Sequence, residues 1–145
     1  MKEILKNNFI KSIDTLYNEI SLFENENDLW ISSKNITNSA GNLCLHLIGN
    51  INHFIGAVID NNGYVRQREN EFKIKNIERN HLLLELVNLK KIIDNMFQNI
   101  KEVYLFEVYP LNTFGENKSV LEVFLILIAH FNYHLGQINY FRRLL

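Results

Sequence analysis

Ser119-Val120-Leu121-Glu122-Val123-Phe124-Leu125-Ile126-Leu127-Ile128-Ala129-His130-Phe131-Asn132-Tyr133-His134-Leu135-Gly136-Gln137-Ile138 decides what kind of fold this chain adopts. It opens as a capping box, in which the Ser119 oxygen and the Glu122 carboxylate satisfy opposite backbone amides and start a helix. The run Val123 to Ala129 is apolar on every side, so the helix is expected to be buried. His130 and His134 then follow at a spacing of four, about 40° past a full turn and about 6 Å along the axis, so both rings project from one face and reach one small ion. The same pair also reads as two buried rings that hydrogen-bond to backbone or to Tyr and Asn neighbours. Two metal chemistries are excluded by the flanking residues. A zinc-protease helix needs Glu directly after the first His, where this chain has Phe131, and a di-iron carboxylate bundle needs Glu three residues before a His, where it has Leu127 and Phe131.

The chain around this helix is 145 residues long and 47% apolar, enough for one domain with a real core. Lys and Arg number 15 against 16 Asp and Glu, and no basic block exceeds two residues, so a phosphate-backbone footprint and a nucleic-acid partner are not expected. The single cysteine, Cys44, has no internal partner and suits a reducing compartment. The first residues carry scattered charges and no secretory apolar core, which makes the cytoplasm the expected location. The longest apolar run falls well short of the roughly 20 residues of a membrane helix, so no membrane partner is expected.

Working outward, Ile4, Leu5, Phe9, Ile13, Leu16, Tyr17, Ile20 and Phe23 recur at three- and four-residue steps and predict a first helix from about Glu3 to Phe23. Leu29-Trp30-Ile31 then pins a polar connection. A second helix is predicted from the cap residues Thr37 to Ser39 through to Asp60, with His46, Asn50 and His53 forming a polar line along it. Cys44 lies about 160° round the axis from His46 and reads as a core residue. Asn61-Asn62-Gly63 ends this helix, and about twenty residues, read as a loop, lead to a third helix from about Asn80 to Asn99. Such a connection spans roughly 60 Å when extended, long enough to cross the end-to-end length of a bundle and to let helices two and three run parallel rather than as a tight hairpin. Val103 to Tyr109 reads as an extended segment covering the core. The expectation is an all-α, four-helix bundle with a long crossover between helices two and three, formed as one domain over residues 1–145.

If the second and last helices face each other, His46 adds a third neutral nitrogen ligand to His130 and His134, leaving an open position for water or substrate. His53, about 10 Å further along its helix, is too far for the same shell and is expected to line the approach or to be structural. His81, beside charged residues, reads as a surface histidine.

Three separated pieces, Leu43-Cys44-Leu45-His46-Leu47-Ile48-Gly49-Asn50, Arg66-Gln67-Arg68-Glu69-Asn70-Glu71-Phe72 and His130-Phe131-Asn132-Tyr133-His134-Leu135-Gly136-Gln137-Ile138, resemble the DinB-like superfamily of four-helix-bundle metalloenzymes, which includes YfiT-like members. The resemblance implies His46, His130 and His134 as a metal triad. It also implies a reaction class for some relatives: transfer to, or isomerisation dependent on, a low-molecular-weight thiol. On this enzyme reading a divalent ion, with zinc, nickel or iron as the expected metals, binds a small thiol, and no catalytic side chain is assigned. Arg66 and Arg68 would hold a carboxylate or phosphate of the thiol, against the alternative of pairing with Glu69, Glu71 or a neighbouring helix. Asn50, Tyr133 and Gln137 are candidates for orienting ligands or substrate, against the alternative of satisfying one another. The competing readings are a non-catalytic homodimeric metal-binding bundle and a metal-dependent hydrolase. A homodimer, motivated by the apolar surface of the last helix, suits each of them.

Overall fold

The computed structural model describes residues 1–145 and is all-helical, without a strand. Its α-helices are α1 (Lys2–Ser21), α2 (Ala40–Ile51), α3 (Arg68–Lys73), α4 (Arg79–Asn99) and α5 (Val120–Leu144). α1 and α2 each pack against both α4 and α5, and their apolar faces close on one core. Phe9, Phe97 and Phe124, from α1, α4 and α5, meet edge-on or tilted in it, with centroids 5.7 to 6.2 Å apart. The capping box at Ser119 and Glu122 is present and starts α5 one residue later.

α1 buries Leu5, Phe9, Ile13, Leu16 and Ile20, as its periodicity predicts, but Ile4 and Tyr17 face outward. α1 also carries a buried polar contact with α5. Glu19 is buried, and its carboxylate accepts from Asn139 Nδ2 and Arg142 Nε of α5, both at 2.7 Å. Trp30 does pin the connection to α2, closing a short 3-10 turn, Glu26–Trp30. Its ring lies so close to Gly41 that a Cβ there would come within 2.7 Å of it.

The second helix does not run unbroken to Asp60. Regular α geometry ends at Ile51, and Asn52–Ala57 continues as a π-helix, visible in the bond from Val58 N–H to the His53 carbonyl at 3.0 Å. A π turn is wider than an α turn, so the residues beyond it are rotated away from the positions that a 3.6 period predicts. Tyr109 OH donates to the Phe54 carbonyl inside this stretch at 2.7 Å. The covering segment is itself a 3-10 turn, Glu102–Phe106, rather than extended chain; only Val108 pairs as an isolated bridge, with Ser119, while Leu105 and Tyr109 plug into the core.

The crossover differs most from expectation. It contains α3, so the chain has five helices where the periodicity suggests four. Arg68–Lys73 offers Phe72 as its one large apolar side chain and has no readable period; tertiary contacts hold it instead. Asn42, fully buried at the start of α2, donates through Nδ2 to the carbonyls of Glu71 (3.0 Å) and Ile74 (2.8 Å), and its Oδ1 accepts from Ser39 Oγ and Lys75 Nζ. One side chain thereby fixes the register of the crossover against α2.

α5 is long and apolar enough to cross a membrane by length and composition alone. Its buried stripe, Val120, Val123, Phe124, Leu127, Phe131, Leu135 and Ile138, packs inside the protein, but Leu125 and Ile126 of the apolar run are 52% and 36% exposed, so the helix is buried along one face and not on every side as expected.

Candidate metal centre

α2 and α5 bring His46, His130 and His134 together. Their candidate ligand nitrogens all lie within 4.8 Å of one another, with His130 Nε2 3.2 Å from His46 Nε2 and 3.1 Å from His134 Nε2. Ligand nitrogens about 2.0–2.1 Å from a tetrahedral ion stand about 3.3 Å apart, so the spacing is close to that of a loaded site.

The partners on the far side of two rings assign their tautomers. His46 Nδ1 lies 3.0 Å from Glu71 Oε1 and His134 Nδ1 lies 2.7 Å from Gln137 Oε1, so each Nδ1–H donates to an oxygen and each Nε2 carries a lone pair. Both lone pairs face His130 Nε2. That atom carries at most one proton, so at least one contact near 3.1 Å sets lone pair against lone pair unless a cation lies between them. The donor set therefore fits a divalent ion. Glu71 stands behind His46, and no further His, Cys, Asp or Glu joins the cluster.

Protonation agrees with neutral ligands. Burial first, and then the neighbouring His134, His46 and Arg66, pull His130 down to about 4. Burial also lowers His134, against the opposing hydrogen bond to Gln137. For Glu71 burial alone would raise the pKa, but hydrogen bonds from His46 and Arg66 outweigh it and keep the carboxyl below its usual range.

Asn50 and His53 line one cleft of about 540 Å³ with His46, Phe54, Arg68 and His130. The Asn50 Oδ1 in it is buried without a partner, and so is His130 Nδ1. The His53 side chain has no hydrogen-bond partner, and its pKa is lowered by burial and by Arg66. Arg68 lies with its guanidinium 5.3 Å from the Phe72 ring centroid and makes no ion pair. Tyr133 and Gln137 sit on the outer side of His134, where Gln137 Nε2 donates to Tyr133 OH at 3.3 Å. They border a second, more apolar cavity of about 690 Å³. Cys44 is fully buried in the core, where burial pushes its thiol up, and His81 is a surface residue, both as expected.

Arg66 follows the second of its two readings, pairing with Glu71, but inside the protein rather than on its surface: its guanidinium grips Glu71 in bidentate fashion, Nε to Oε2 and Nη2 to Oε1, each at 2.8 Å, and it also lines the cleft beside His46. Glu71 itself was missing from the residues expected at the site. Its signal in the sequence was an indirect one, a glycine in the interior of α2: a Cβ at Gly49 would fall 2.0 Å from Glu71 Oε2.

A family model described as "Protein of unknown function (DUF1572)" matches residues 4–145. The chain belongs to this family. Because the match runs from α1 through α5, all three histidines and Glu71 lie inside the DUF1572 region. No curated protein and no solved structure matches the chain.

Proposed function

We propose that this DUF1572 chain is a metal-dependent enzyme of the DinB-like kind, a four-helix bundle with α3 set into its crossover, whose divalent ion is held by His46, His130 and His134. The observation that carries the proposal is the convergence of three Nε2 atoms, two of them deprotonated by the partners of their Nδ1–H groups. Such an ion supplies Lewis acidity that makes a bound thiol or water more acidic. The protein supplies the rest. The cleft beside His46 and His130 admits a small molecule, the unpartnered Asn50 amide orients it, and Phe54 and Phe114 exclude water from one wall. Arg68, free of any ion pair at the rim, matches an anionic group on that molecule. We assign the reaction as transfer to a low-molecular-weight thiol, with metal-dependent hydrolysis as the reading that shares the same open position.

Cobalt loading tests both levels. About one ion per chain is expected, lost in His46→Ala, His130→Ala and His134→Ala proteins and kept in His53→Ala and His81→Ala. Metal loss in the His53 or His81 variant as complete as in the His134 variant would overturn the triad. Titration of small thiols into the cobalt protein should then give a near-ultraviolet charge-transfer band. Its absence in protein carrying cobalt at the triad removes the thiol-transfer reading and leaves hydrolysis or a purely structural ion.

A further inference from the structure

We infer that Glu71 is a positioning residue for the metal centre, clamped by Arg66 and admitted by Gly49, and that metal affinity is thereby coupled to docking of the crossover helix α3. The inference rests on the three-histidine reading of the site. The three ligands are not supported alike. His134 has a neutral amide oxygen from its own helix and His130 Nδ1 has no partner, whereas His46 alone is backed by a carboxylate. Glu71 is 6% exposed, and its Oε1 is shared between His46 Nδ1 at 3.0 Å and Arg66 Nη2 at 2.8 Å. A fixed carboxylate on Nδ1–H sets the ring orientation and makes the opposite nitrogen a stronger donor. The Phe72 ring, 4.9 Å from the His46 ring centroid, flanks the same imidazole from the same short helix.

Gly49 makes this arrangement possible. It lies three residues after His46 on α2, and any side chain there would occupy the space of the carboxylate: a Cβ would stand 2.0 Å from Oε2 and 2.6 Å from Cδ. Glycine in a helix interior is less favourable than alanine, so in this helix the notch overrides local propensity. Since Glu71 arrives on α3, docking of α3 and loading of the ion are linked equilibria, and each strengthens the other by the same factor.

The test is a cobalt titration of the full chain. Glu71→Gln, which keeps the shape and loses the charge, should weaken cobalt binding by about tenfold to a hundredfold. Gly49→Ala, which alters no ligand and no polar group, should weaken it comparably by displacing the carboxylate. In a Glu71→Ala background, where the space is empty, Gly49→Ala should add no further loss. Hydrogen exchange of the α3 amides should slow on cobalt loading in the wild-type protein and not in Glu71→Gln. Cobalt affinity of Glu71→Gln within twofold of wild type overturns the inference, as does additive loss in the Gly49→Ala, Glu71→Ala pair. A wild-type protein that binds no cobalt overturns instead the three-histidine reading beneath it.

Discussion

Acidifying the metal-free protein should unfold it through the histidines before any carboxylate takes part. His130 is held at about 4 in the folded chain, against 6.5 for an ordinary imidazole. Above 6.5 the ring is neutral in both states and its contribution is complete. As pH falls through the window from 6.5 to about 4 the unfolded chain takes up the proton first, so stability is lost steadily. The ceiling for one such group is about 1.4 kcal/mol per pH unit. Because the ring borders an open cleft, screening by water reduces this, and we expect roughly 0.7 kcal/mol per unit from His130. His134 and His53, both lowered, act with the same sign in the same window. Glu71 does not interfere. Its pKa is lowered from 4.5, so its contribution is complete above 4.5 and is lost only below that pH. Urea unfolding of chelator-treated protein at pH 7.5, 6.5, 5.5 and 5.0 measures the slope, and His130→Gln should flatten it. Comparing slopes rather than absolute stabilities removes the packing cost of the substitution. Equal slopes for His130→Gln and wild type would mean that the folded chain protonates this ring as readily as the unfolded one, which the buried three-imidazole geometry forbids.

Gly41→Ala places a methyl 2.7–2.8 Å from three carbons of the Trp30 ring, so the indole must move. The expected cost is about 1–3 kcal/mol in urea, with a shift in the emission of this single tryptophan; an unshifted spectrum and unchanged stability would count against the packing described. We further propose that the chain is a homodimer through the outer face of α5, where Leu125, Tyr133, Tyr140 and Leu144 are 52%, 65%, 64% and 63% exposed along one stripe. Sedimentation at micromolar concentration should give a dimer, converted to monomer by combining Leu125→Glu with Tyr140→Glu; a monomeric wild type rules the proposal out.

What was legible in the sequence is what depends on period. The apolar faces of α1, α4 and α5 follow from three- and four-residue recurrence, and the pairing of His130 with His134 follows from the same arithmetic. His46 was legible because an imidazole in the middle of an apolar helix needs a partner. Glu71 was not, since the segment from Tyr64 to Lys75 has no period and owes its position to Asn42, a residue that reads as an ordinary polar group in the first turn of α2. The role of Arg66 was legible only as a choice between two readings. Whether an arginine five residues before a glutamate meets it or a ligand depends on where the chain between them turns, and here α3 folds the carboxylate back onto the guanidinium. The π-helix after Ile51 was hidden for a related reason: sequence patterns assume 3.6 residues per turn, and a local widening of the turn changes which residues share a face without changing composition.

On the proposed metal-binding reading, the three histidines are rooted in different ways, and this decides which of them the rest of the protein is able to tune. His130 and His134 share α5, so their separation is fixed by helix geometry and changes only if the helix itself does. His46 comes from α2, and its distance to the other two is set by how α2 packs on α5 and by what stands behind its ring. Apart from Gln137, which backs His134 from within α5, a change in metal affinity that leaves all three histidines intact is expected to act through α2. The groups positioned to exert it are the ones that sequence periodicity does not reveal: Glu71 against Nδ1, Arg66 holding Glu71, Asn42 holding α3, and Gly49 leaving room for the carboxylate.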